Sequence, residues 1–489
     1  MNDYSRPFRL IINKPAQPFA IAGVYLITDE SANLAGRVQA ALRGGVSVVQ
    51  YRAKGKIREA CLLEGHELKQ LCQSFGAAFI VNDDVKLALD LDADGVHLGQ
   101  DDDSVGSARE ELGPGKIIGK STHNLEEALQ AEQEGVDYIG FGAMYPSCSK
   151  AVVRIPGTSG LAAVREKINV PVVAIGGITI GNACRVVDAG ADALAVISSI
   201  LSCPRPDIAA AELKLLFNRG RLQPRGTVLS VAGSDSGGGA GIQADIKTVT
   251  LLGSYAASVV TALTAQNTRG VSSIHGLPAS FVIDQLDAVL ADIPVDVIKT
   301  GMLHTPAIIS ALAESLGERQ VMVPLVIDPV MVAKGGAPLL EMDAVHLFRE
   351  QLLPQAYLLT PNIPEAERLL GRPIRSEGEM AQAASDLHAL GAANVLLKGG
   401  HMTGQQSVDV LYDGSGCHTF TAERIFTNNT HGTGCSYASA VAAFLAQGEP
   451  LKEAVEKAKQ FITLAIKLAR PLGKGHSPIN HFAATRPQI

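Results

Sequence analysis

Two glycine-rich turns in the second half of the chain carry the residue types that phosphoryl chemistry needs. The first lies within Val231-Ala-Gly-Ser-Asp-Ser-Gly-Gly-Gly-Ala-Gly-Ile-Gln-Ala-Asp245. Ahead of it, Thr227–Val231 reads as a short buried strand, and Gln243 to Leu252 reads as a helix. Such a strand-to-helix turn brings backbone N–H groups close to an anion at a helix N-terminus. It matches neither the P-loop nor the GxGxxG fingerprint. A flexible linker is the alternative, but Asp235 and Asp245 are costly to order without a role. The second turn is Asn428-Asn-Thr-His-Gly-Thr-Gly-Cys-Ser-Tyr-Ala-Ser-Ala440, where Gly432 and Gly434 open a turn and Cys435 begins an apolar helix running to about Ala446. Free N–H groups and the helix dipole converge there on a transferring phosphoryl group. The same dipole is expected to lower the pKa of the Cys435 thiol and make it a base. A small packing thiol is the other reading of Cys435.

The first half holds a different set of chemically capable residues, each placed just after a β-branched run. Gln50, Arg52 and Lys54 follow one run, Asn82 and Asp83 the next, and Gln100 to Asp103 the one after. Ser121, then Ser147, Cys148, Ser149 and Lys150, then Gly176-Gly177-Ile178 and Ser198-Ser199 continue the pattern. Carboxylates suit Mg²⁺, Arg and Lys neutralise a polyphosphate, and the last two small-residue loops suit a phosphate.

The elements that position these residues follow from the rhythm of the chain. The runs are Val24–Thr28, Val46–Tyr51, Phe79–Asn82, Val96–Leu98, Ile117–Gly119, Tyr138–Gly142, Val172–Ile175 and Leu194–Ile197, with helix-length amphipathic stretches between them. Eight such units predict a closed (β/α)₈ TIM barrel, with an open doubly wound sheet as the alternative. The rhythm breaks over Ser202–Gly226, rich in Pro and Arg. Beyond it, strand candidates at Ser258–Thr261, Val297–Lys299, Leu325–Ile327, Tyr357–Leu359, Asn394–Leu397 and Val408–Tyr412 predict a second α/β domain with its crevice at the strand ends. The expected division is residues 20–215, a linker at 216–226, and residues 227–485.

Composition narrows the functional classes. At 489 residues, 46% hydrophobic and 19% charged, the chain can bury large cores. A net charge of −7, no Trp and only 4% aromatics argue against nucleic-acid or acidic-membrane partners. The seven scattered cysteines lack paired CxxC spacing and suit a reducing, cytoplasmic setting. Cys61, Cys72, Cys184 and Cys417 read as packing or surface thiols. No apolar run reaches membrane-spanning length. The sequence leaves oligomeric state open, a homo-oligomer included.

The motifs Gln50-Tyr-Arg-Ala-Lys54, Val81-Asn-Asp-Asp84, Gly95-Val-His-Leu-Gly-Gln-Asp-Asp102 and Ala174-Ile-Gly-Gly-Ile178 together resemble thiamine-phosphate synthase. That resemblance implies condensation of hydroxymethylpyrimidine diphosphate with thiazole phosphate, releasing pyrophosphate. It carries Gln50, Arg52, Lys54 and Asn82 onto the pyrimidine diphosphate, Asp83 and Asp102 onto Mg²⁺, Ser121 onto the pyrimidine and Lys150 onto the diphosphate. Ser147, Ser149, Gly177, Ile197 and Ser198 fall to the thiazole phosphate. The family usually has Thr-x-Thr-Lys where this chain has Ser147-Cys-Ser-Lys150, which implies weaker thiazole binding.

The second half resembles hydroxymethylpyrimidine/phosphomethylpyrimidine kinase of the ribokinase-like superfamily. Its matching motifs are Ala232 to Asp245, Thr264-Ala-Gln-Asn-Thr268, Lys299-Thr-Gly-Met-Leu303, Asp328-Pro-Val-Met331, Thr360-Pro-Asn362, Lys398-Gly-Gly-His401 and His431-Gly-Thr-Gly-Cys435. The resemblance implies two phosphorylations by ATP at one site. Gly233, Asp235, Gln266, Met302 and Val330 would contact the pyrimidine, Lys398 the ATP phosphates, and Cys435 would be the base. Sugar kinases of the superfamily place an Asp at the Cys435 position, so the Cys favours the pyrimidine branch. The expectation is a bifunctional thiamine-biosynthesis enzyme in which the kinase half makes what the barrel half consumes. Two rivals stand beside it: a kinase whose barrel serves as a sensing or scaffolding module, and a salvage kinase for another pyrimidine or pyridoxal-like alcohol.

Overall fold

A computed structural model describes residues 21–146, 155–319, 322–331 and 342–485 of the chain. The chain divides into two compact units between Leu213 and Lys214. In the first, β1 Gly23–Ile27, β2 Val46–Tyr51, β3 Ala78–Asn82, β4 Gly95–Leu98, β5 Ile117–Thr122, β6 Tyr138–Gly142, β7 Val172–Ile175 and β8 Ala193–Val196 close into a barrel. Every neighbouring pair is parallel, and β8 returns to pair with β1. The open-sheet alternative therefore falls. Alternate residues turn inward to fill the interior, with Tyr25, Val48, Ile80, Ile117, Tyr138, Val173 and Ala195 in one buried cluster. Period-2 alternation thus sends one set of side chains to the barrel centre and the other to the surrounding helices.

The second unit is built on a nine-stranded sheet. Its strands are β9 Thr227–Asp235, β10 Tyr255–Asn267, β11 Gly270–Gly276, β12 Val297–Thr300, β13 Leu325–Ile327, β14 Leu358–Leu359, β15 Val395–Leu397, β16 Gln406–Tyr412 and β17 Cys417–Glu423. Their order is β11-β10-β9-β12-β13-β14-β15-β16-β17, parallel from β10 to β15 and antiparallel at both edges. The chain leaves β9 to build first on one side and then on the other. The crevice of an open α/β sheet opens at such a reversal, beyond the carboxyl ends of the strands. The glycine-rich turn sits there.

The two faces of β9 go to different layers. Leu229 and Val231 join a large apolar core with Val282, Ile308, Phe348 and Met380. Ser230 faces the opposite layer, where helix Gly241–Leu251 packs against helix Thr433–Ala446. The latter helix is buried nearly all round, which explains why its sequence is apolar rather than striped. Residues 216–220 form a 3₁₀ turn held on the second unit, with Asn218 donating to the Ala446 carbonyl at 2.8 Å.

Candidate functional site

In the barrel, the described residues picked out in the sequence lie at the carboxyl ends of the strands. Gln50 lies buried on β2, within hydrogen-bonding reach of the Tyr25 hydroxyl. Asn82 ends β3, and Asp83 directly after it adopts a left-handed φ of 65°. Its N–H is tied to the His97 carbonyl at 2.8 Å, which holds the unusual backbone in place. The Asp83 carboxyl stands within hydrogen-bonding reach of Asp102 and is pushed above the usual carboxylate range. Burial is the largest cause and Asp102 the next, with Asn82 and Lys54 opposing. Asp102 Oδ2 also accepts from Gly99 N–H at 2.6 Å. Two facing carboxylates that repel each other beside a lysine fit a divalent cation bound together with a phosphate oxygen.

A chain of hydrogen bonds runs from this mouth into the barrel interior. Ser121 Oγ meets His97 Nε2 at 2.9 Å, and His97 Nδ1 meets the Tyr138 hydroxyl at 2.9 Å. Tyr138 in turn meets Tyr25 at 2.8 Å. Burial pushes His97 down to about 4, with Asp102 opposing weakly, so the ring is neutral at pH 7. A neutral imidazole carries one donor and one acceptor, so it fixes the direction of the Ser121 hydroxyl. On the far side, Gly177 has φ 62°, and a Cβ there would meet the Pro146 carbonyl and Tyr145. Only glycine lets this loop lie so close. Ile197 and Ser198 follow β8 at the start of a short helical turn. Ser147, Ser149 and Lys150 lie outside the described residues.

In the second unit, Gly233, Asp235, Gln266, Met302, Val330, Lys398 and Cys435 all line one cavity of about 680 Å³. They come from β9, β10, the ends of β12, β13 and β15, and helix Thr433–Ala446. Asp235 does more than line it. Its Oδ1 accepts from Gly237 N–H at 2.8 Å, and its Oδ2 from Gly239 at 3.0 Å, Ala240 at 2.8 Å and His431 Nε2 at 3.0 Å. Burial is the largest single influence on Asp235 and pushes upward. The His431 bond and the loop N–H groups overcome it and hold the carboxylate below its usual range. This one side chain therefore shapes the glycine-rich loop and joins it to the second turn.

Gly432 caps helix Thr433–Ala446 with φ 80°, and any Cβ there would run into the Gly239 carbonyl. The two glycine-rich turns lie directly against each other. Lys398 Nζ bonds Asp328 Oδ1 at 2.8 Å, and both are almost fully buried. Asp328 and Glu365 also line the cavity, and neither was singled out in the sequence as a site residue. Glu365 was legible in Asn362-Ile-Pro-Glu365, since Asn at a helix start with Glu three residues on is a capping box. Here Asn362 N–H donates to Glu365 Oε2 at 2.8 Å, and Glu365 N–H donates to Asn362 Oδ1 at 2.9 Å. Burial raises Glu365 to about 7, with Lys398 opposing and Asp328 adding.

One expectation fails at Cys435. The helix start was expected to acidify its thiol, yet burial pushes it up to about 12. Asp328 and Asp245 add to that rise, while Lys299 and the Gly241 N–H oppose it. The residue lines the cavity and is half-buried, yet burial is the largest influence on its thiol. Desolvation of a thiolate outweighs the helix dipole here. Among the described residues, no group of three His, Cys, Asp or Glu side chains could hold a metal ion unaided. No helix among them is long and apolar enough to cross a membrane.

A (β/α)₈ barrel with a polar mouth and a ribokinase-like sheet with an anion-binding turn define a two-domain transferase. Family models agree half by half: thiamine monophosphate synthase matches residues 24–200, and phosphomethylpyrimidine kinase matches residues 235–480. The bifunctional thiamine biosynthesis protein ThiED of Geobacter sulfurreducens is 60% identical, over 97% of this chain and 97% of its own. The multifunctional ThiED protein of Corynebacterium efficiens is 35% identical over 95% of this chain, which covers 65% of that longer protein. For the second half alone, the hydroxymethylpyrimidine/phosphomethylpyrimidine kinase of Escherichia coli is 47% identical over 52% of this chain and 97% of its own. An ADP complex of Bacillus subtilis pyridoxal kinase superposes with a TM-score of 0.50 at 41% identity, covering 53% of this chain and 98% of that one. The chain belongs to the ThiED family of bifunctional thiamine biosynthesis proteins, joining a thiamine-phosphate synthase domain to a hydroxymethylpyrimidine/phosphomethylpyrimidine kinase domain.

Proposed function

We propose that the kinase half, residues 227–485, phosphorylates 4-amino-5-hydroxymethyl-2-methylpyrimidine and then its monophosphate with ATP, in the single cavity described above. The observation that carries this is the convergence of Gly233, Asp235, Gln266, Met302, Val330, Lys398 and Cys435 on that cavity. The first five hold the pyrimidine. Lys398, fixed by Asp328, meets the ATP phosphates as a cation. The first-turn N–H groups of helix Thr433–Ala446 face the transferring phosphoryl group. Cys435 takes the hydroxyl proton as the oxygen bonds to the γ-phosphorus and ADP leaves. Its raised pKa means that the thiol keeps its proton at pH 7 in this environment, so the base must be drawn out by positive charge around it.

The synthase half, residues 20–215 joined through 216–226, condenses the diphosphate with thiazole phosphate. Breaking the carbon–oxygen bond frees pyrophosphate and leaves a stabilised pyrimidine cation, which the thiazole nitrogen captures. No protein nucleophile is needed. Gln50, Arg52, Lys54, Asn82 and Lys150 hold the diphosphate, and Ser121 orients the pyrimidine. Ser147, Ser149, Gly177, Ile197 and Ser198 place the thiazole phosphate. Asp83 and Asp102 would hold Mg²⁺, which when bound neutralises charge on the leaving pyrophosphate. The partners in this reading are small phosphorylated molecules and ATP, in a cytoplasmic enzyme that works alone or as a homo-oligomer.

Product analysis tests the division of labour. Cys435→Ala should fail to make thiamine phosphate from hydroxymethylpyrimidine, thiazole phosphate and Mg-ATP, yet make it from supplied pyrimidine diphosphate. Lys150→Ala should accumulate the diphosphate. If Cys435→Ala cannot use supplied diphosphate, the two-site division is wrong.

A further inference from the structure

Beside the kinase cavity lies a charged pair that is not among the residues lining it and has no part in the proposed chemistry so far. Lys299 on β12 and Asp245 on helix Gly241–Leu251 are both fully buried. Lys299 Nζ bonds Asp245 Oδ1 at 2.9 Å and Oδ2 at 2.8 Å. Ser230 Oγ donates to Oδ2 at 2.6 Å, and Ser439 Oγ donates to Oδ1 at 2.7 Å. The network thus joins β9, β12 and both helices of this layer. Both ions lose their hydration, and apolar residues of similar volume often serve stability as well or better. Stability alone is weak ground for keeping such a pair.

Its position gives a better ground. Ser439 stands one helical turn after Cys435 on the same helix, so its bond to Asp245 fixes the turn that carries the sulfur. The charged groups acting on that sulfur are Lys299 from β12, Asp245 from helix Gly241–Leu251, Asp328 after β13 and Lys398 after β15. The Gly241 N–H adds a hydrogen bond. Lys398 is committed to Asp328 and to the phosphate end of the cavity. Lys299 is the largest influence favouring loss of the proton. We propose that the Lys299–Asp245 pair is a positioning device for Cys435: Ser439 anchors the helix turn to Asp245, and the Lys299 ammonium steadies the sulfur in its proton-free form. Asp245 fixes that ammonium without reaching the cavity. This inference rests on the kinase reading, with Cys435 as its base.

The test is carried out on the full chain. In Lys299→Met/Asp245→Asn the network is replaced without leaving a lone buried charge, so the fold should survive. Alkylation of Cys435 by iodoacetamide, followed at pH 8 by mass spectrometry of its peptide, should slow by a few-fold, because the loss of Lys299 outweighs the opposing loss of Asp245. The acid limb of the kcat–pH profile should move to higher pH, while KM for ATP and for hydroxymethylpyrimidine stays put. Ser439→Ala keeps both charges and loses one hydroxyl, and should slow the alkylation by a few-fold; it decides the matter should the double variant not fold. An unchanged alkylation rate, or a kcat loss equal at every pH, overturns the proposal. Alkylation reads the thiol without needing phosphorylation. If it slows as expected while Cys435→Ala keeps full kinase activity, the pair acts on the thiol but the base assignment fails.

Discussion

The two halves handle charge in opposite ways. At the barrel mouth, Lys54 and Asp102 are exposed and Arg52 only half-buried. The charges stand on loops open to water, where the proposed diphosphate and cation would neutralise them. In the kinase half the pairs Lys299–Asp245, Lys398–Asp328 and Lys459–Asp409 are nearly or fully withdrawn from water. The reactions account for the contrast. A leaving pyrophosphate brings its own charge and needs screening rather than a poised base. Phosphoryl transfer to an alcohol needs a proton removed in a dry site, where fixed charges act strongly and water cannot intercept the phosphoryl group.

The sharpest way to break that comparison is to remove the proposed base. Cys435→Ala should lower phosphorylation by about a hundredfold or more, the scale of a positioned general base, with synthase rates on supplied diphosphate unchanged. A steady-state assay of each half-reaction decides it. Next in size, Asp83→Asn or Asp102→Asn should cost the synthase well over about tenfold and raise its Mg²⁺ requirement, leaving the kinase alone. Equal rates at limiting Mg²⁺ in both variants would remove the metal assignment. Smaller still, His97→Asn leaves Ser121 without its fixed partner. It should raise KM for the pyrimidine diphosphate by several-fold while the barrel stays folded, about the worth of one hydrogen bond. A kcat loss with KM unmoved would place His97 in the chemistry instead.

Most of the framework was legible because it follows local rules. The eight barrel strands are β-branched and buried on both faces, and the structure places all eight where the runs fell. The edge strands β11 and β17 were missed for the same physical reason in reverse. β17 alternates exposed and covered residues through Cys417-His-Thr-Phe-Thr-Ala-Glu423, and its polar half disguises a strand. The turns at Ser236–Ala240 and Gly432 were legible from glycine spacing, although β9 runs on to Asp235 rather than ending at Val231. That Asp235 would bind both turns together was not, because His431 lies far along the chain. At Cys435 the helix start could be read but the burial could not, so the direction of its shift came out wrong. Burial depends on the whole sheet, and no local pattern states it.

Glu365 offers the finest test of how far the two halves differ. Its folded pKa of about 7 lies above its ordinary value, burial being the main cause. Between the two values the folded chain holds a proton that the unfolded chain has released. Stability of the kinase half therefore falls as pH rises from the ordinary carboxylate range to about 7, and levels off above it. Glu365→Gln keeps an oxygen to accept from Asn362 N–H and removes the ionisation. The variant should lose that slope and melt several degrees higher than the parent at pH 8, the raised carboxyl having cost the parent its stability there. At pH 5 the two chains should melt alike. The barrel transition, where Glu365 has no part, should not move at either pH. Equal slopes in parent and variant would mean that Lys398 already holds Glu365 ionised throughout. The kinase site would then carry one more fixed negative charge, and its contrast with the barrel mouth would narrow.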